Sequence, residues 1–197
     1  MGTLKKTSCA LVLIAVLSHA PAFAQSDGAG QEGIKVHGDW TLTVRNPDGT
    51  IAAVHEFKNA LSVTTGADGV LARLLLGTAS TGQWSIAFGM NPPGGCGVGP
   101  NCVITESTTL FPGHSTDLTK TIPTTGPDAG KFVLRGSVRF VNATNITVVT
   151  TNLATCTTSA TPTCNTGAPE FTRKLLQQLT PVAPDQLVEV KVVISFS

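Results

Sequence analysis

Residues 36–58 read VHGDWTLTVR-NPDG-TIAAVHEFK, and the way this stretch doubles back decides the fold. Val36 to Arg45 alternates strictly, with Trp40, Leu42 and Val44 on one side, which is the period of a strand with one buried face. Asn46-Pro47-Asp48-Gly49 follows, with proline preset for the second position of a type I turn and glycine free to take the left-handed position that closes it. Thr50 to Lys58 then returns as a second strand. With Asn46 opposite Thr50, Val44 faces Ala52 and Leu42 faces Val54, so the expected core face is Trp40, Leu42, Val44, Ala52 and Val54.

Further along, Ala67 to Leu76 is the one helix candidate, with Asp68 placed to cap it, Leu71, Leu74 and Leu75 on one side and Gly77 placed to end it. Strand patterns recur at Gln83 to Gly89 (Trp84, Ile86 and Phe88 alternating), Val103 to Leu110, Leu118 to Ile122, Lys131 to Val141, Ile146 to Thr151 and Leu187 to Phe196. In Lys131 to Val141 the apolar side is Phe132, Leu134, Val138 and Phe140, and Lys131, Arg135, Ser137 and Arg139 form a wet face, the mark of an antiparallel sheet. The closing strand alternates Val188, Val190, Val192, Ile194 and Phe196 against Glu189 and Lys191. About eight strands and one short helix predict an all-β protein, packed most economically as an antiparallel β-sandwich.

Composition agrees. Only 13% of residues are charged, and 20 glycines and 12 prolines accompany abundant threonine. At the N-terminus, Lys5 and Lys6 precede the apolar run Ala10 to Leu17, and Ala22-Phe23-Ala24 has the form read by signal peptidase. The expected organisation is a cleaved signal over residues 1–24, a flexible mature N-terminus over 25–33 and a single domain over 34–197. Cleavage leaves 11 basic against 12 acidic residues, a net charge of −1 with no basic run. That balance offers no footprint for nucleic acid. No later apolar run is long enough for a transmembrane helix, and the absence of tyrosine removes the aromatic girdles of an outer-membrane barrel. The expected location is outside the cytoplasm: extracellular, cell-surface or periplasmic.

The cysteines follow from that compartment. Cys96, Cys102, Cys156 and Cys164 form two local pairs with wider spacing than zinc or redox motifs use, and no histidine lies beside either. Two loop staples are expected, Cys96–Cys102 and Cys156–Cys164, with the two crossed connectivities as alternatives. Each small loop contributes about 2.5 kcal/mol on the chain-entropy account.

Reactive constellations do not emerge. His37 and His55 stand roughly 13 Å apart on the expected hairpin, opposite Asn59 and Thr41, too far for one metal. No G-x-S-x-G elbow, carboxylate pair close in sequence, calcium loop or phosphate loop is present, and carboxylates distant in sequence stay open as a pair; Gly126 to Lys131 is one residue short, with Phe132 where a hydroxyl is needed. No catalytic residue, metal or cofactor is expected. The candidate ligand loops are Asn91 to Cys102 and Phe111 to Gly130, with Trp84, Asn91, Asn101 and His114 as the residues to watch.

From Asn59 to Ser197 the order of segments LLLGTAS, FVLRGSVRFVNATNITVVTT, FTRKLL and VAPDQLVEVKVVISFS resembles phage-tail and virion structural proteins, whose closing strand ends in a similar tail. The export signal and the cysteines depart from that class. The resemblance implies a β-sandwich building block for assembly or attachment, and no catalytic residues. Two functions are therefore expected in order: an exported, non-enzymatic protein that assembles with itself or with a cell-surface component, and a monomeric secreted module that binds carbohydrate or another surface ligand through the two loops.

Overall fold

A computed structural model describes residues 35–62, 66–107, 111–157 and 168–197. The opening hairpin forms from β1 (Val36–Arg45) and β2 (Ile51–Leu61), antiparallel. Its turn is built as the residues dictate: Gly49 takes φ 85°, its N–H donates to the Asn46 carbonyl at 2.9 Å, and the Asp48 carboxylate accepts from both the Thr50 N–H (2.9 Å) and hydroxyl (2.6 Å). Asn46 does face Thr50, its N–H donating to that carbonyl at 2.9 Å. The register beyond departs from expectation. Arg45 pairs with Ile51 but Val44 with Ala53, so Ala52 is an extra, bulged residue.

Because side chains alternate with period two, that single residue inverts the face of β2. Leu42 lies opposite His55, Trp40 opposite Phe57 and His37 opposite Ala60. Trp40, Leu42 and Val44 are buried as expected; Ala52 and Val54 point outward, Val54 half exposed, and Ala53, His55, Phe57 and Asn59 turn inward instead. Trp40 stacks on Phe57 with ring centroids 5.7 Å apart, apolar contact that the shifted register creates.

The helix α1 spans Ala67–Leu75. Asp68 lies in its first turn rather than capping it; Gly66, at φ 80°, holds the N-cap position with no side-chain bond. Gly77 ends it in a Schellman arrangement, with Thr78 N–H to Arg73 O at 3.0 Å and Gly77 N–H to Leu74 O at 3.1 Å. The inward face is Ala67 and Val70, with Leu71 and Leu74 partly buried, while Leu75 is exposed, contrary to the expected leucine stripe.

The remaining strands are β3 (Ala79–Asn91), β4 (Cys102–Thr105), β5 (Thr119–Thr121), β6 (Phe132–Arg139), β7 (Thr144–Thr157), β8 (Glu170–Val182) and β9 (Leu187–Phe196). The nine strands among the described residues belong to one antiparallel sheet, ordered β4-β3-β7-β8-β2-β1-β9-β6-β5. The all-β class is as read, but β8 is an additional strand. Its sequence, EFTRKLLQQLTPV, lacks alternation and leaves Leu175 and Leu179 largely exposed.

The sheet curls until its layers face one another. Trp84 of β3 reaches across the core to Phe132 of β6, 5.0 Å between centroids, and meets Phe171 of β8 at 5.2 Å. The two ends of the sheet meet where Thr105 donates to Ser115 O (2.9 Å) and accepts from the Leu118 N–H (3.3 Å). On the outer face, Asp128 holds Lys191 at 2.6 Å, bringing the 122–131 loop onto β9, and Val133 and Val193 are buried there as neighbours.

Gly136 is required where these ends close. A Cβ there would stand 2.7 Å from Ile104 Cγ2 and 3.1 Å from the Asp117 carbonyl oxygen. Gly136→Ala should therefore lower stability by about 1–2 kcal/mol in urea unfolding. Unchanged stability would mean that β4 and β6 are not closely packed.

Candidate functional site

The weak join in the curled sheet is between β2 and β8. They pair through Ala60–Arg173 and Leu61–Thr172, with Ser62 N–H donating to Phe171 O at 2.9 Å just beyond, and no further toward the hairpin turn. The cause lies in β8: β7 pairs Ile146 with Thr180 and then Val148 with Leu175, so residues 176–179 loop out of register. From Phe57 to Ala52 the two strands diverge. A hollow of about 360 Å³ opens between Val54–Phe57 and Lys174–Thr180, and a second of about 590 Å³ continues past Ala52, Ala53, Pro181 and Val182 to the end of the sheet.

Two buried polar atoms without partners, His55 Nε2 and Thr180 Oγ1, belong to residues lining the first hollow, and three more lie together beside Gly38 of β1. Trp40 Nε1, His55 Nε2, Asn59 Nδ2 and Oδ1 and Thr180 Oγ1 are buried and accept or donate no hydrogen bond. Trp40 and Thr180 are fully buried and Asn59 is 9% exposed. Asn59 occupies space left by Gly38 opposite it: a Cβ on Gly38 would collide with Asn59 Oδ1 and stand 3.3 Å from Trp40 Nε1. Each unpaired buried polar group costs about 1–3 kcal/mol, so these atoms call for partners. On the outside, Val54, Leu175 and Leu179 leave apolar surface beside the opening.

The residues expected to form a ligand site divide. Trp84 is buried between Phe132 and Phe171, well inside the core, and takes no part in a surface site. Asn91, at the end of β3, and Asn101 are exposed. His114 is brought to the disulfide loop: it lines a hollow of about 230 Å³ with Cys96, Val98, Val103 and Val138, and its ring meets Phe111 edge-on at 6.1 Å. Cys96 and Cys102 are bonded, with Cα atoms 5.5 Å apart, which excludes both crossed connectivities. Cys156 is buried in β7, and the expected Cys156–Cys164 staple falls outside the described residues, as do the signal and residues 25–33.

Burial alone pulls the His114 pKa below 6.5. In the window beneath 6.5 the unfolded chain takes up the proton first. The stability that neutral His114 contributes is thus complete above 6.5 and is lost as the pH falls through its lower folded-state value. A proton-NMR titration should show His114 titrating below 6.5; a value at 6.5 would place its ring in solvent, and one above it beside an acid.

The outer face of β1, β9 and β6 forms a polar groove of about 410 Å³ that includes Thr41, Thr43, Arg135, Ser137, Glu189 and Lys191. Three of its charged groups are already engaged: Glu189 with Arg45 at 2.8 Å, Lys191 with Asp128, and Asp117 accepting from the Ser137 hydroxyl at 2.5 Å. The Lys191 ammonium is what holds the Asp128 carboxyl below its ordinary value, and the Thr50 hydroxyl does the same for Asp48 in the hairpin turn. This is a solvated sheet face. Among the described residues no group of three or more His, Cys, Asp or Glu side chains comes together, and no helix is long and apolar enough to cross a membrane.

Fold and seam define an all-β protein with an incompletely zipped sheet. Comparison with protein families, with curated proteins and with solved structures finds no match to the chain.

Proposed function

We propose that the protein is an exported, non-enzymatic β-domain that is built into an extracellular or cell-surface structure by strand pairing. The observation that carries this reading is the β2–β8 seam, where two strands stop pairing and leave their facing edges open, with His55 Nε2 and Thr180 Oγ1 buried beside the opening without partners. Open strand edges are the surface on which a further strand adds, since each unpaired N–H and C=O is a ready hydrogen-bond site. The low charge of the chain supports it, because little like-charge repulsion opposes close packing of copies. The resemblance to virion building blocks points the same way.

Light scattering of non-reduced residues 25–197 across a concentration series tests the proposal. Mass that grows with concentration is the expected result, and a monomer mass at every concentration overturns it. That second outcome would favour a monomeric binding module for carbohydrate or another surface ligand. The convergence of the disulfide loop and His114 on one hollow is the feature that supports such a module. Ligand screening would then start there.

A further inference from the structure

We infer that the two hollows of the seam bind a free carboxylate with a single apolar tail, a fatty-acid-like amphiphile, with its head at Lys174 and its tail toward the open end of the sheet. The inference goes beyond the assembly reading and does not rest on it. The ligand lies on the inner side of the strands, whereas an added strand bonds to their edges.

Lys174 sets the head end. It pairs with Val149 of β7, which pairs in turn with Phe88 of β3. Val149 and Phe88 are fully buried core residues. Partners in register share a face of the sheet, so Lys174 lies on the core side, between buried Thr172 and half-buried Leu176 in the alternation of its own strand. It is itself half-buried. A cation on an inner face calls for a counter-charge. The ion pairs among the described residues engage Arg45, Lys58, Lys120, Arg173 and Lys191, and leave Lys174 with none.

Lys174 lines the hollow of about 360 Å³ together with His55 and Thr180, whose Nε2 and Oγ1 have no partner. Thr180 is completely buried. Its hydroxyl can donate, and His55 Nε2 donates in one tautomer. Glu56 borders the same hollow, but from the exposed, outward side of β2, out of phase with His55 and Phe57. One ammonium and two unsatisfied donors suit a small anionic group that accepts hydrogen bonds, which a carboxylate is.

Beyond the head the walls turn apolar. The second hollow, about 590 Å³, runs between Val44 and Ala53 on one side and Pro181 and Val182 on the other, and reaches Pro92 at the end of the sheet. No charged side chain lines it. Polar residues in its wall already have partners: the Thr144 hydroxyl donates to Pro92 O at 2.6 Å, and the Gln186 amide accepts from the Ala183 N–H and donates to Asn46 Oδ1, both at 2.8 Å. The hollows follow one another along the same two strands, which suits one tail rather than two. Each falls in the range of about 300–1,000 Å³ usual for ligand pockets.

Isothermal titration calorimetry of non-reduced residues 25–197 tests the inference, with dodecanoate below its micelle concentration as the probe. Acetate, octanoate and dodecyltrimethylammonium are the comparison ligands. The expected result is one dodecanoate per chain, weaker binding of octanoate because fewer methylenes are buried, and no binding of acetate. Lys174→Met keeps the apolar stem and removes the charge, so it should weaken dodecanoate about tenfold or more. Ala53→Phe fills the tail hollow and should weaken it similarly, and the octanoate comparison reads the tail independently where that variant does not fold. Dodecanoate held as tightly by Lys174→Met as by the parent overturns the inference, as does dodecyltrimethylammonium held as tightly as dodecanoate. Either result would mean adsorption on exposed Val54, Leu175 and Leu179. Octanoate binding as tightly as dodecanoate, or no binding of dodecanoate at all, overturns it as well, and each of these outcomes leaves the assembly reading standing.

Discussion

Trp84→Ala should lower the unfolding free energy by about 4 kcal/mol. The ring is 6% exposed and fills the space between the layers, in contact with Phe132 of β6 and Phe171 of β8. Truncating a large aromatic in such a position removes its transfer free energy and leaves a cavity that three strands cannot collapse to fill, which places the loss at about 3–5 kcal/mol. A fall in the urea midpoint with an unchanged slope would show the effect as lost stability. The variant also separates two roles for this residue. A tryptophan that stacked on a sugar would be exposed, and its removal would change stability by less than about 1 kcal/mol while abolishing binding. A small loss would therefore return Trp84 to the surface and restore it as a ligand residue; a large one leaves it as the clasp between the two layers.

That contrast shows where the sequence was legible. Trp84 sits in the alternation with Ile86 and Phe88, all three buried, and period-two patterning carried the burial correctly. Proximity to the glycine-rich loop along the chain carried nothing about space. The disulfide Cys96–Cys102 was readable because its partners are local and spacing alone argues against metal. The hairpin was readable as a hairpin, but its register was not. AAVHEFKN offers two alternating faces, Ala52/Val54 and Ala53/Phe57, and only the bulge at Ala52 selects between them. β8 escaped because KLLQQL has no period-two signal, and its irregular pairing with β7 is what leaves the seam open. The candidate site thus depends on a pairing failure between strands far apart in sequence. No local pattern encodes such a failure, although His55 and Asn59 in phase with Phe57 were its nearest trace.

The seam also makes the second large prediction, in which stability rises. Asn59→Leu combined with Thr180→Val should stabilise the isolated domain by about 3 kcal/mol. Both side chains are buried, both keep their shape in the replacement, and the polar atoms removed have no partner to lose. Removing an unsatisfied buried amide and hydroxyl relieves their desolvation, about 1–3 kcal/mol each. Asn59→Leu keeps the branching that sits over Gly38 but adds volume there, and that overpacking offsets part of the gain. The same change should weaken assembly, because a strand added at the seam would find a methyl group where Thr180 now offers its hydroxyl. Urea unfolding at low protein concentration reads the first effect and light scattering reads the second. Increased stability with diminished growth is the signature of groups kept for a partner at the expense of the subunit, as functional sites commonly trade stability for binding. A loss of stability would mean that Asn59 and Thr180 already hold structural hydrogen bonds and that the seam is closed. A gain in stability with assembly unchanged would leave the seam a packing defect and send the search for the contact to another strand edge.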